Sequence, residues 1–197
     1  MAQSTTYFPT LLDTVWDSSR SSRWMRSLLI TLGGSLLLTV AAKIQVPFYP
    51  VPMTMTTFVV LFLGMACGWR LGGAIVLFYL IQGAAGLPVF AGTPEKGIGV
   101  AYMMGPTGGY LIGYYIAAVA VGFLAERGWD RNIVTTAAAM LIGSALIYVP
   151  GLLYLGGLFG WDKPIMEWGL YPFVLGDLSK VVLAAVAMPL LWKVVKR

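Results

Sequence analysis

The 197-residue chain has no histidine and a single cysteine, Cys67. Without imidazole, a histidine-based metal site and a Ser-His-Asp triad are both excluded. One thiol cannot close an intrachain disulfide. Charge is also scarce: Asp, Glu, Lys and Arg make up 11% of the residues, against about 25% in a soluble domain. The glycines form neither a Walker A sequence nor a GxGxxG after a strand, so phosphate and dinucleotide cradles carry little weight. Residues 1–26 contain no apolar run followed by a small-residue cleavage site, and no removable signal peptide is expected.

What is abundant is apolar. The hydrophobic fraction is 58% and the mean hydropathy is +0.81. These values describe an all-α integral membrane protein, with room for about six helices of about 20 residues. The net charge of +5 does not mark a nucleic-acid binder, because the basic residues are dispersed along the chain.

Two regions are expected: an N-terminal segment over 1–26 and a six-helix membrane domain over 27–197. In the first, Phe8, Leu11, Leu12, Val15 and Trp16 fall at helical spacing. That pattern fits a short amphipathic helix lying in the membrane interface or, equally, a partly disordered tail. A first membrane helix is expected over about Ser27–Ile44, with Ser27, Thr31, Ser35 and Thr39 recurring every four positions. Such a stripe permits close helix approach, either within this chain or to a separate membrane subunit.

Pro47, Pro50 and Pro52 forbid a regular helix between Gln45 and Phe58. A short apolar segment, Thr57–Cys67, then turns at Gly68-Trp69-Arg70 into a helix over Leu71–Gly86. The Gly86–Tyr110 stretch is glycine-rich, with Lys96 in its middle. Irregular backbone of this kind at membrane depth is tolerated only where it is buried or lines a cavity. Helices are expected over about Thr107–Ala125 and Asn132–Leu158, the latter interrupted near Pro150-Gly151, and a last one ends at the basic C-terminus.

In this scheme Arg20, Arg23, Arg26, Arg70, Arg127, Arg131, Lys193, Lys196 and Arg197 lie on one side, and Lys43, Lys96 and Lys163 on the other. The bias predicts cytoplasmic termini and external glycine- and proline-rich loops. Asp177 and Lys180, the only charged residues between Leu170 and Leu191, then fall near the external end of the last helix. Charges in hydrocarbon cost about 2.5–3.5 kcal/mol each on insertion scales. Spaced i and i+3, the two share a helix face. They form either a self-neutralising structural pair or the polar floor of a ligand site.

VPMTMTTF at 51–58, GLPVFAG at 86–92, GPTGGYLIG at 105–113 and GDLSK at 176–180 resemble motifs of the BioY family. These are the biotin-specific substrate-binding (S) components of ECF-type vitamin transporters, and the resemblance runs from about Ser27 to the C-terminus. It implies a six-helix, multi-pass protein of the bacterial plasma membrane, not an enzyme, that captures biotin from outside. It further implies a transmembrane coupling protein and two cytoplasmic ATPases as partners, with no cofactor or metal of its own. The family's GDxxK motif associates Asp177 and Lys180 with biotin. Two departures stand out: Thr56 where a glutamine is expected, and TPEKG at 93–97 in place of a glycine-rich or arginine-bearing loop. Lys96 is the residue that would stand in for that group.

Biotin presents an apolar sulphur ring, a ureido group with two N–H donors and a carbonyl, and a tail carboxylate. Asp177 can accept charge-assisted ureido bonds, and Lys180 or Lys96 can meet the carboxylate. Tyr79 and Gln82 can supply a ring wall and an amide, although Tyr79 equally suits an interfacial anchor. Ser27, Thr31, Ser35 and Thr39 are the nearest match to a docking stripe for the coupling protein. Other readings are an ion-coupled secondary carrier, which proton-gradient sensitivity of uptake would reveal, and an S component for a different small vitamin. An intramembrane enzyme would need a further acid, base or metal ligand near Asp177, and a scaffold would show no saturable binding.

Overall fold

The computed structural model describes residues 8–16 and 23–195, so the expectations placed on Arg20, Lys196 and Arg197 lie outside the described residues. Helices α1 (Leu11–Val15) and α2 (Arg23–Lys43) are followed by a two-stranded antiparallel ribbon of β1 (Gln45–Val46) and β2 (Met53–Thr54). Then come α3 (Thr56–Ala84), α4 (Gly99–Met103), α5 (Gly108–Ala125), α6 (Ile133–Phe159), α7 (Ile165–Gly169) and α8 (Tyr171–Val195). Five stretches are long and apolar enough to cross a membrane: α2, α3, α5, α6 and the span Ile165–Val195, which joins α7 to α8. The three prolines expected to exclude helix fall between β1 and β2.

The expected turn at Gly68 lies inside α3. Gly68 adopts φ 78° and ψ 172°, a region open to glycine because it lacks a Cβ. A Cβ on Gly72 would meet the Gly64 Cα at 2.7 Å. In an uninterrupted helix, eight residues would separate these positions by about 12 Å, so the chain doubles back here. Glu126 secures the turn, its Oε1 accepting from the Trp69 N–H at 3.3 Å. A carboxylate suits this place, because free N–H groups gather where a helix restarts. Phe8 donates its backbone N–H to the Glu126 carbonyl at 3.0 Å, and Arg26 pairs with Asp13 at 3.0 Å. The N-terminal segment thus packs against the same end as the Gly68 turn.

Glycine brings α5 against α6. Added Cβ atoms at Gly109 and Gly113 would lie 2.4 Å from the Pro150 carbonyl oxygen and 2.7 Å from the Ile147 Cα. Helix association in lipid depends on such approach, since apolar area alone gives no preference for protein over acyl chain. The interruption expected at Pro150 does not occur: α6 continues to Phe159. Proline removes one intrahelical hydrogen bond, and a membrane helix tolerates this where neighbouring helices pack around the freed carbonyl.

The small-residue stripe of α2 does not present one face. Ser27 is exposed, Thr31 and Thr39 are half-buried, and Ser35 is buried at 2% exposure. Ser35 and Thr39 donate to the Leu32 and Ser35 carbonyls at 3.1 and 2.9 Å. Beside them Gly34 is packed on Ile75. Ser35 is thus the member of the stripe that is buried within this chain.

Candidate ligand pocket

At the end opposite the Gly68 turn, α3, α5, α6 and α8 meet beneath the β1–β2 ribbon and the 86–98 loop. A void of about 40 Å³ remains between them, room for a few waters at about 10–15 Å³ each. Its walls are mainly aromatic: Tyr79, Phe90, Tyr102, Tyr110, Tyr114, Tyr148 and Phe173 all line it. Phe90 stacks on Tyr102 at 5.0 Å and meets Tyr79 edge-on at 5.3 Å. Tyr148 stacks on Phe173 at 6.4 Å and meets Tyr110 edge-on at 6.0 Å. These geometries suit the ring quadrupoles.

Buried tyrosines need partners for their hydroxyls, and here they tie the walls to the loops. Tyr79 donates to the Val89 carbonyl at 3.1 Å, Tyr102 to Ala91 at 2.8 Å and Tyr110 to Gly169 at 2.9 Å. Burial raises the Tyr102 phenol above its ordinary pKa, so it remains a neutral donor.

Asp177 and Lys180 lie one layer behind this wall. The Lys180 ammonium donates to Asp177 Oδ1, the Thr54 carbonyl and Thr57 Oγ1, each at 2.8 Å. Tyr148 donates its hydroxyl to Asp177 Oδ2. The acid–lysine pair borders a separate small void with Ser144 and Phe58. Of the polar residues that line the aromatic pocket, Thr54, Thr57 and Tyr148 are bonded to the pair. The pair's side chains retain 11% and 12% exposure, and breaking a buried pair of this kind costs about 3–5 kcal/mol.

Hydrogen-bond bookkeeping then fixes the polarity of the wall. Tyr148 has spent its one proton on Asp177, so its oxygen can only accept from a ligand. Thr57 has accepted from Lys180, leaving its hydroxyl proton to donate.

Of the other sequence-predicted residues, Tyr79 lines the pocket. Gln82 is half-buried, its Oε1 without a hydrogen-bond partner, and is not among the lining residues. Lys96 is exposed on the loop above, its alkyl chain against Gly92, and does not line the pocket either. Sequence reasoning missed Tyr148, Thr57 and the lining aromatics of α4 and α5. The spacing of Tyr110 and Tyr114, one helical turn apart, was an available signal; Tyr148 in IYVPG offered none.

A bundle of membrane-length apolar helices enclosing an aromatic pocket with directed polar groups defines a multi-pass protein that binds a small molecule. More particularly, the chain belongs to the BioY family, whose family model matches residues 12–197. It is 37% identical over 150 residues to a probable biotin transporter BioY of Pyrococcus horikoshii, covering 76% of this chain and 86% of that one. It is likewise 37% identical over 149 residues to the biotin transporter BioY of Thermotoga maritima, covering 76% and 85%. Among solved structures it resembles the S-component for biotin from an ECF-type ABC transporter. The TM-score is 0.70 over 88% of this chain and 94% of that one, at 22% identity, a likeness of fold.

Proposed function

We propose that this protein captures biotin from the external side and serves its uptake as the S component of an ECF-type transporter. Transport, not catalysis, is the activity of this family. The observation that carries the reading is the fixed polarity of the pocket wall in a chain of this family. The Tyr148 oxygen accepts a ureido N–H, and the Thr57 hydroxyl donates to the ureido carbonyl. Asp177 and Lys180 hold both groups in those roles, and the Asp177 carboxylate takes up the second N–H as the ligand settles. The aromatic walls, Tyr79 included, receive the sulphur ring. Lys96, on the loop above, meets the tail carboxylate, and the Gln82 backbone carbonyl supports that loop by accepting from the Leu87 N–H at 3.1 Å.

The Gly68 reversal divides α3 into two short spans, so the chain crosses the membrane six times. Arg26 and Arg70 border one cavity near the N-terminal segment, and Lys43 and Lys96 belong to the other end; the positive-inside bias makes the first end cytoplasmic. The cell membrane is the location, with a transmembrane coupling protein and two ATPases as partners. The exposed residues of α2, with Ser27 and Thr31 at their cytoplasmic end, offer the docking face.

Calorimetry on the purified protein with biotin and with unrelated vitamins tests the reading. Saturable one-site binding of biotin alone is expected; indifference to biotin, or equal affinity for another vitamin, refutes it.

A further inference from the structure

The void of about 40 Å³ is tight for a bicyclic ring, and one part of its boundary is tied to α2 by a single side chain. Lys43 is the last residue of α2. Its ammonium donates to the Phe90 carbonyl at 2.9 Å, the Thr93 carbonyl at 3.0 Å and Thr93 Oγ1 at 2.9 Å. Three donors meet three acceptors, which is the full capacity of an ammonium. Thr93 in turn donates its hydroxyl to the Phe90 carbonyl at 2.7 Å, so Phe90 and Thr93 are gripped as a unit. Phe90 and Ala91 both line the pocket. The remaining ties to this segment come from the Tyr79 and Tyr102 hydroxyls, on elements other than α2. Position also favours a cation here, at a helix C-terminus.

We propose that Lys43 is a latch between α2 and the pocket roof: it holds the Phe90–Thr93 segment down, and displacement of α2 frees that segment and opens the pocket. Gly34 supplies the other half of the device. The α2 backbone lies so close to α3 that a Cβ on Gly34 would meet Ile75 at 2.7 Å. On the lipid-facing side Leu29, Leu36, Leu37 and Val40 are exposed, so the helix is seated on α3 by one narrow contact line. A force applied to α2 from the membrane reaches the roof through Lys43. This inference rests on the ligand-capture reading, but its first test needs no ligand.

A cysteine at Ala91, in a Cys67→Ser background, reports on the roof by its rate of modification with a water-soluble maleimide. Lys43→Met should raise that rate by at least about tenfold, the change that 1.4 kcal/mol produces. Lys43→Arg, which keeps the charge and donors, should restore most of the protection. Gly34→Val, which wedges α2 from Ile75, should raise labelling when Lys43 is present and add little in the Lys43→Met protein. Release of radiolabelled biotin should quicken in parallel. Equal labelling of Lys43→Met and the parent overturns the latch, as does failure of arginine to rescue; additive effects of Gly34→Val and Lys43→Met overturn the coupling to α2. Should the parent bind no biotin, the vitamin reading falls while the labelling series still judges the latch.

Discussion

The floor and the roof of the pocket are each clamped by a lysine that donates three hydrogen bonds, yet the two clamps differ in kind. Lys180 is nearly buried and has a carboxylate partner in Asp177; it ties α8 to β2 and α3 through Thr54 and Thr57. Lys43 lies at the exposed edge of α2 and donates only to neutral oxygens of one loop. Loss of the first leaves a charge stranded away from water. Loss of the second frees two carbonyls and one hydroxyl of a single loop, with the Thr93 hydroxyl still donating to the Phe90 carbonyl. The contrast identifies the floor as a permanent part of the fold and the roof as the part that can let go.

The largest effect should come from breaking the floor. Lys180→Ala leaves Asp177 without its cation, and about 3 kcal/mol of stability should be lost, the low end for a broken buried pair. Thermal unfolding of the purified protein would register it, together with loss of biotin binding. Removing both charges in Asp177→Asn/Lys180→Ala should be milder than the sum of the single changes. Additive losses would mean that the two residues do not act as a unit and would erase the distinction between floor and roof.

Next in size is Ser35→Leu. Overpacking a close helix contact costs about 1–3 kcal/mol, and Ser35 is buried against this chain's own helices. The unfolding midpoint should therefore fall. Gly33→Leu, two residues away with nothing within 4 Å of an added Cβ, should leave stability intact while reducing uptake and partner pull-down. Equal stability of both variants would reassign Ser35 to the docking face.

That pair of positions shows how far the sequence could be read. Asp177 and Lys180 were legible as a pair because i and i+3 side chains meet on any helix. The Gly68 turn was legible because Gly-Trp-Arg ends one apolar run and starts another. The stripe on α2 was not legible as a surface: residues four apart advance about 40° around a helix of 3.6 residues per turn. Across Ser27, Thr31, Ser35 and Thr39 the direction swings by about 120°, from exposed at Ser27 to buried at Ser35 and half-buried at Thr39. Pro150 misled for a different reason, since the break it usually makes depends on what surrounds the freed carbonyl. The place of Tyr148 between the acid and the pocket arises from α6 meeting α8, and local sequence carries no trace of it.

Tyr148→Phe tests the floor more gently. It removes the oxygen that the ureido N–H would meet, together with the Tyr148–Asp177 hydrogen bond, and keeps the ring that stacks on Phe173. Biotin affinity should fall by about tenfold, and the unfolding midpoint should fall less than in Lys180→Ala, because Lys180 still answers Asp177. An unaltered affinity would mean that the ureido group does not use the Tyr148 oxygen. Asp177→Asn should weaken binding by a similar amount, at least about 1.5 kcal/mol, and a normal affinity there would remove the pair from the site altogether.

The smallest effect belongs to Lys96, and it is informative because it is small. The residue is exposed on the 93–97 loop, so any ion pair it makes with the tail carboxylate is screened by water and salt. Exposed pairs contribute about 0–1 kcal/mol, which sets Lys96→Gln at no more than about a fivefold loss of affinity. The loss should shrink as ionic strength rises, because the screening length falls to about 8 Å at physiological salt and to about 3 Å at 1 M. Biotin amide, which keeps the rings and the ureido group but lacks the negative charge, should bind parent and variant alike. Measuring both ligands at low and high salt separates the carboxylate contact from a general loosening of the roof. If Lys96→Gln weakens the amide as much as the acid, Lys96 acts on the loop and not on the ligand, and the carboxylate is met elsewhere. If the variant loses far more than fivefold, the loop closes over the tail and buries the pair, and the roof is then as firmly built as the floor.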